Sequence, residues 1–498
     1  MSEHALLPLA VLASSLLPGL VIFFLPERAV RLRSALNLAG ATVKLLLVAV
    51  MLWGVSRGVS YAVSFSLLPG ITFSLRADSL ALLFVTLSAQ LWFLTTIYAI
   101  GYLENSPNRA RFFGFFSLCV TATVGVAMAG NLLTFLLFYE LLTLSTYPLV
   151  VHRETPVARA AGNRYLAYTI GGGAALLLGT AWLYAEVGTL TFTPRGFVDG
   201  SDAPAPVLAA IFFLLVAGVG VKAALVPLHG WLPRAMVAPA PVSALLHAVA
   251  VVKAGAFGII RIVYDVFGVE YAAELGVIDA LAAVAAFTVI YGSLRALAQD
   301  DLKRRLAFST VSQVSYIALG VAIVGPLASI GGIVHLVHQG LMKITLFFCA
   351  GNYAETLGLH KVSELNGVGR RMPLTTAAFT VAALGMIGLP PMAGFISKWY
   401  LGLGALEAGD TWVVIVLAGS SLLNAAYFLP ILHRAWFRAP AGPWPPRPAG
   451  TRAETALALL VPPVVTALFV LLAGLLAAVP YSPQEWATLV VRREFYAP

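Results

Sequence analysis

NLLTFLLFYELLTLSTYPLVVH, residues 131–152, is long and apolar enough to cross a bilayer and carries Glu140 at its centre. A carboxylate at that depth costs roughly 2.5–3.5 kcal/mol on the insertion scale. Either the helix does not span, or the charge has a use. The surrounding chain favours the second reading. Its 498 residues are 60% hydrophobic and only 11% charged, with a mean hydropathy of +0.89. A soluble chain sits nearer half apolar and about a quarter charged. The composition predicts an all-α, multi-pass membrane protein in contact with the lipid bilayer.

Hydropathy predicts about fourteen spans, near 5–24, 34–55, 79–102, 111–130, 131–151, 162–187, 205–226, 240–262, 276–296, 306–324, 327–353, 372–403, 411–433 and 454–479. The first follows Glu3 and His4 rather than a basic stretch, so it is expected to be a retained helix and not a signal peptide. Loops after odd-numbered spans hold 20 Lys and Arg, while those after even-numbered spans hold only Arg57, Arg76, Arg195 and Arg261. The positive-inside rule then places both termini outside, in an inner or cytoplasmic membrane. The net charge of +9 sits in those loops and gives no nucleic-acid surface. Residues 60–75 alternate apolar and polar on both sides of Pro69-Gly70, which predicts an outside β-hairpin. Ser482, Pro483 and Glu485 form a helix-start signature for a short interfacial helix in the tail.

Cofactor chemistry has no foothold in the pattern. Cys119 and Cys349 lie in apolar runs outside any CxxC pair, and no Walker or G-x-G-x-x-G motif follows a strand. No cofactor, no metal site and no covalent catalysis are expected in this chain.

The lysines carry the functional signal. Arginines occupy the predicted loops and tail, but Lys44, Lys222, Lys253, Lys343 and Lys398 fall within apolar spans. Arginine stays charged in proteins, whereas a buried lysine can fall several units below ~10.4 and release its proton. With Glu140, these groups together cost more than the whole net stability of a typical domain, ~5–15 kcal/mol. Such a row suits proton transfer. Glu140 is the only carboxylate placed mid-membrane, and Lys222 is its expected ion-pair partner across neighbouring helices. The pair would hold the Lys222 proton, and breaking it would send the proton onward.

Two spans contain helix breakers. Lys222 precedes Pro227, and Lys398 follows Pro390 and Pro391. Pro-x-x-Gly-aromatic recurs at Pro227, Gly230, Trp231 and at Pro391, Gly394, Phe395 in spans of opposite predicted direction. This predicts two inverted five-helix repeats, each with a broken helix. The repeats are 111–262 and 276–433; an N-terminal unit 1–110 holds three helices and the hairpin near 60–76, and 454–498 holds the last helix and tail. His335, Gln339 and Lys343 follow i, i+4, i+8 spacing and share one helix face. His247 and Lys253 are six apart, about 120° around one helix. The expected proton-transfer residues are Glu140, Lys222, His247, Lys253, His335, Lys343 and Lys398. His229, His338, Gln339 and Ser312 are secondary relay candidates.

The stretches LLFYELLTLSTY, KAALVPLHGWLPRAMVAPAPVSALLH, DLKRRLAFSTVSQVSYIALG, HLVHQGLMKITLFFCAG and GLPPMAGFISKWYL resemble the antiporter-like subunits shared by respiratory complex I, membrane-bound hydrogenases and Mrp-type cation/proton antiporters. The resemblance spans roughly residues 110–440. It implies fourteen helices and a central polar axis, with Glu140 and Lys222 matching the family's Glu–Lys pair. Lys253, Lys343 and Lys398 match its central and exit-side lysines, and His247 and His335 its relay histidines. The chain departs from the pattern at Gln339, where relatives often have histidine, and His338 is displaced by one residue. SSLLNAAYFLPILHRAWF, 420–437, looks most like the D-type branch of the Mrp antiporters. The expected function is a proton-translocating subunit of a multisubunit membrane complex, most nearly a monovalent cation/proton antiporter. Its partners are other membrane subunits, with Na+ or K+ passing through the complex. The alternative is the same module driven by redox chemistry, as in complex I or a membrane-bound hydrogenase. A quinone-binding subunit is a third reading, in which the lysine row has no use.

Overall fold

The computed structural model describes residues 3–68, 71–103, 106–445 and 454–496. The hairpin turn at Pro69-Gly70, and Arg447 and Arg452 of the last loop, lie outside the described residues. The chain runs α1 (Glu3–Phe23), α2 (Val30–Ser56), β1 (Tyr61–Leu68), β2 (Ile71–Ala77), α3 (Ser79–Tyr102), α4 (Arg109–Ala127), α5 (Leu132–Val150) and α6 (Pro156–Val187). It continues through α7 (Ala205–Ala223), α8 (Ala240–Ala248), α9 (Val251–Arg261), α10 (Val269–Glu274), α11 (Val277–Leu297), α12 (Leu302–Val321) and α13 (Pro326–Leu357). It ends with α14 (Val368–Arg371), α15 (Pro373–Ile387), α16 (Ala393–Glu407), α17 (Thr411–Phe437), α18 (Leu457–Leu475) and α19 (Pro483–Val490).

Among the described residues, twelve helices are long and apolar enough to cross a membrane. Two further predicted spans take other forms. α12 carries Lys303, Arg304, Arg305 and a run of hydroxyl and amide side chains that lower its hydropathy. The span predicted at 372–403 is divided into α15 and α16, with Pro390 and Pro391 in the gap. The other predicted break also forms: α7 stops at Ala223, before Pro227, and the chain turns irregularly to Ala240.

Local chemistry sets most boundaries. Asp78, Asn131, Thr155, Asp301 and Ser482 each accept a backbone N–H from the first turn of the helix that follows. Gly188 and Gly358 end the two longest helices in the left-handed conformation that glycine adopts without penalty. The predicted hairpin is antiparallel and is stitched to the α4–α5 turn. Gly130 N donates to Ser74 O at 2.8 Å, and Arg76 N to Met128 O at 2.7 Å.

The run Ala240–Phe267, which contains α8 and α9, is wholly enclosed by protein, and so is the membrane-length central stretch of α13. α13 is packed by α3, α8, α12, α15, α16 and α18. Packing neighbours recur along the chain: α4 lies on α5 and α6 on α7, as α11 lies on α12 and α13 on α16.

One sequence expectation needs correction here. The eighth span is expected from hydropathy to end near residue 262, leaving Arg261 in an outside loop. Instead the helix runs on as a π-helical turn, Ile262–Phe267, and Arg261 and Asp265 are each only 1% exposed. The run IVYDVF continues the apolar surface, and the charges are buried because they neutralise one another. Arg261 bonds Asp265 at 2.6 Å and Asp78 at 2.8 Å, and Arg76 bonds Asp78 at 3.1 Å. Glu140 is therefore not the only carboxylate buried within a span.

The C-terminal tail closes over this cluster, so its helix is seated on protein. Glu494 accepts Ser79 N at 2.8 Å, Trp486 Nε1 donates to Ser79 O at 2.8 Å, and Phe495 stacks on Tyr264 at 4.0 Å. Burial first, and the Asp78 carboxylate second, push the Glu494 carboxyl from its ordinary 4.5 up to about 8, with Arg261 opposing. The docked tail thus binds a proton that an undocked one releases. Docking is strongest below the ordinary carboxylate range and weakens as pH rises through about 8. Hydrogen exchange over 483–495, corrected for intrinsic rate, should be faster at about pH 9 than at about pH 6. Glu494→Gln should flatten that difference; equal wild-type exchange at both pH values would refute it.

Candidate functional site

Lys222 occupies the last turn of α7, where Ala224 takes a left-handed φ of 58° and ends the helix. Its Nζ donates to the backbone carbonyl of Tyr139 and lies 3.3 Å from the centroid of the Tyr139 ring. The Tyr139 hydroxyl in turn donates to Gly218 O at 3.0 Å. Glu140, one residue on, is half-buried with Oε1 unpartnered. Gly173 of α6 leaves it room, since a Cβ there would run into the carboxylate. The expected Glu140–Lys222 ion pair is not formed as a direct contact, because successive helix residues point about 100° apart and Lys222 approaches the Tyr139 side.

His247 and Lys253 do not share one helix. α8 ends at Ala248 and α9 begins at Val251, with Leu245 O accepting both Val249 N at 3.1 Å and Ala250 N at 2.9 Å. This third break contains neither proline nor glycine, and it replaces the 120° relation expected of a continuous helix. His247 lies in the last turn of α8 with both ring nitrogens unpartnered and its ring stacked 4.5 Å from Phe347. Lys253 lies in the first turn of α9, fully buried, with Nζ unpartnered. Close backbone approach brings α9 to α7: a Cβ on Gly255 would meet Lys222 C at 2.6 Å and Val219 O at 2.7 Å.

α13 supplies the centre of the row. His335 Nδ1 bonds Ser397 Oγ of α16 at 2.7 Å, while Nε2 has no partner. Lys343 Nζ donates to Ser309 Oγ at 2.6 Å and Leu306 O at 3.2 Å, both on α12. The shared face of His335, Gln339 and Lys343 thus reaches different neighbours. Gln339 and His338 are fully buried with every side-chain N and O unpartnered, as is Gln313 of α12. Lys398 Nζ donates to Met386 O at 3.0 Å, Ile387 O at 2.9 Å and Ser421 Oγ at 3.0 Å. The first two are carbonyls at the end of α15, released by the break.

The remaining candidates separate. Ser312 Oγ lies 2.9 Å from Ser293 Oγ, which lies 3.4 Å from Ser420 Oγ of α17. His229 is half-buried beside the Tyr291 ring at 5.1 Å. Lys44 is fully buried away from this row, donating to Ser15 Oγ at 2.7 Å with its Nζ 4.9 Å from the centroid of the Trp92 ring. Asn424 and Tyr427 are not among the expected residues, yet both are fully buried next to Ser309 or Met386. Their spacing with Ser420, i, i+4 and i+7, is the sequence signal for that stripe. No group of three or more His, Cys, Asp or Glu that could hold a metal occurs among the described residues.

Residues 129–424 match the family model described as NADH:quinone oxidoreductase/Mrp antiporter, TM, and residues 69–113 match NADH-Ubiquinone oxidoreductase (complex I), chain 5 N-terminus. NADH-quinone oxidoreductase subunit N of Desulforudis audaxviator is 38% identical over 80% of this chain and 81% of its own. The D-type subunit of the Bacillus subtilis Na(+)/H(+) antiporter is 28% identical over 84% of this chain and 83% of its own. A chain in the Mrp complex from Dietzia shares the fold with a TM-score of 0.87, at 24% identity, across 99% of this chain and 98% of that one. Several longer curated relatives are matched over only about half of their length.

The α7–α9 approach leads to a prediction. Gly255→Ala forces a carbon into backbone and should destabilise the protein by about 1–3 kcal/mol. Gly171→Ala on α6, with nothing within 4 Å of the added carbon, should be neutral or slightly stabilising. Thermal unfolding of the two variants in detergent checks the contrast, which equal melting temperatures would remove.

Proposed function

The chain belongs to the NADH:quinone oxidoreductase/Mrp antiporter family, and from that premise we propose that it is the proton-translocating subunit of a Mrp-type monovalent cation/proton antiporter. One observation carries the reading. Lys253 and Lys343 are fully buried in the two enclosed spans, and no carboxylate pairs with any of Lys222, Lys253, Lys343 or Lys398 among the described residues. A lysine kept permanently charged in such a place would require a counter-ion; one that gains and loses a proton requires only groups that serve both states. Carbonyls and hydroxyls around Lys222, Lys343 and Lys398 are such groups, since they accept from an ammonium and a hydroxyl also donates to an amine.

Proton movement then follows Lys222, Lys253 with His247, Lys343, His335 and Lys398, with Glu140 setting the charge beside Lys222. The unpartnered atoms of His247, His338, Gln313 and Gln339 mark where internal water completes the path. The recurring pairs of neighbours support reading 111–262 and 276–433 as inverted repeats. The loop-charge bias supports both termini outside, in an inner or cytoplasmic membrane. Relatives named as subunits support further membrane proteins as partners, with Na+ or K+ crossing elsewhere in the complex.

A second reading is favoured by the 38% identity to a complex I subunit: the same module driven by redox centres in neighbouring subunits. Partner identification by mass spectrometry of the gently purified complex, with flavin and iron assays, separates the two. Small hydrophobic partners without flavin or iron are expected; flavin and iron–sulfur subunits would replace the antiporter reading.

Transport in vesicles tests the row itself. Lys343→Met should lower proton flux at least about a hundredfold, and Glu140→Gln should lower it about tenfold, both with the complex assembled. Wild-type flux in Lys343→Met would end the proposal.

A further inference from the structure

α17 carries none of the proposed transfer lysines, yet its polar stripe joins two of them. Lys343 Nζ donates to Ser309 Oγ at 2.6 Å, and Ser309 Oγ lies 2.9 Å from the Tyr427 hydroxyl. That hydroxyl bonds Asn424 Oδ1 within α17. Asn424 Nδ2 donates to Met386 O at 3.2 Å, and the same carbonyl accepts Lys398 Nζ at 3.0 Å. The file runs without a gap from α13 through α12 and α17 to the broken end of α15 and to Lys398. Ser309, Asn424 and Tyr427 are all fully buried.

The donors along it are directional. Tyr427 has one hydroxyl proton and two acceptors within reach, Ser309 Oγ and Asn424 Oδ1, so it donates to one at a time. With Lys343 charged, its ammonium donates to Ser309 Oγ and Tyr427 turns its proton to Asn424 Oδ1, while Asn424 Nδ2 and Lys398 Nζ share Met386 O. With Lys343 neutral, its lone pair accepts from Ser309, and Tyr427 is free to turn its proton back to Ser309. Only hydroxyls rotate, and no covalent bond changes. A tyrosine and asparagine serving purely as packing would satisfy each other within α17 and would need neither the shared Ser309 nor the shared carbonyl.

We propose that Ser309, Tyr427 and Asn424 are positioning residues that couple the charge states of Lys343 and Lys398, so that a proton taken up at one is felt at the other. This rests on the proton-transport reading above. Tyr427→Phe, which removes one oxygen, should cut proton flux about tenfold in vesicles bearing the intact complex, with assembly unchanged. Ser309→Ala should do the same, whereas Ser309→Thr, which keeps the hydroxyl, should restore most of the flux. Wild-type flux in Tyr427→Phe, or equal flux in the two Ser309 variants, overturns the coupling. If Tyr427→Phe fails to assemble, the Ser309 pair decides. Lys343→Met and Lys398→Met measured alongside separate the failures: if both keep wild-type flux, the transport reading itself has failed.

Discussion

A lysine held in an apolar interior must have its ammonium solvated by something, and for Lys398 that work falls to the end of an interrupted helix. The last carbonyls of a helix have no partner within it, and together they carry a partial negative charge of about half an electron. Lys398 reaches back across the Pro390-Pro391 gap to Met386 O and Ile387 O, whereas Lys222, in the final turn of α7, donates across to Tyr139 O of α5. A half-charge holds an ammonium in place without trapping it, as a full carboxylate in contact would. Helix breaks at membrane depth are tolerated only where protein or an internal cavity covers them. The enclosed position of the α8–α9 run follows from that requirement, as does the close contact of α9 with α7 at Gly255.

Much of this was legible in the sequence, for reasons that can be named. An ionisable residue within an apolar span is informative because its cost is large, which is why Lys222, Lys253, Lys343 and Lys398 stood out. Proline located two of the breaks because it has no N–H to give, and the Ser482 cap located the tail helix. The α8–α9 break carries no such residue; it exists because Leu245 O takes two donors in a tightly packed setting, which is a tertiary fact. The choice of Tyr139 over Glu140 as the contact for Lys222 was equally hidden. α5 is apolar on nearly every face, so its sequence has no periodic signal to say which side meets α7. Arg261 and Asp265 stand i, i+4, a spacing that marks an ion pair, but their burial depended on where the β-hairpin and the tail would come to rest. The Ser420, Asn424, Tyr427 stripe was visible as spacing, whereas its contacts with Ser309 and Met386 required the neighbouring helices.

Arg261 and the mid-span lysines are handled by opposite means, and that contrast bears on function. Arg261 is as buried as Lys44, Lys222, Lys253 and Lys343, and the fold gives it two carboxylates, Asp78 and Asp265, at hydrogen-bond distance. Arginine cannot shed its proton in a protein; Arg33, Arg305 and Arg371 are also buried but hold theirs against backbone carbonyls, whereas Arg261, mid-span, is given opposite charge. None of Lys44, Lys222, Lys253, Lys343 or Lys398 is given a carboxylate contact among the described residues. They are met by hydroxyls, backbone carbonyls and aromatic rings, or, for Lys253 Nζ, by no protein partner. If these lysines were structural charges, leaving them unpaired would cost several kcal/mol each, and the simplest repair would be the one already used for Arg261. At Arg261 the fold brings carboxylates into contact with a charge that cannot leave, and it brings none into contact with the lysines, whose charge can, which is the arrangement a path for protons requires.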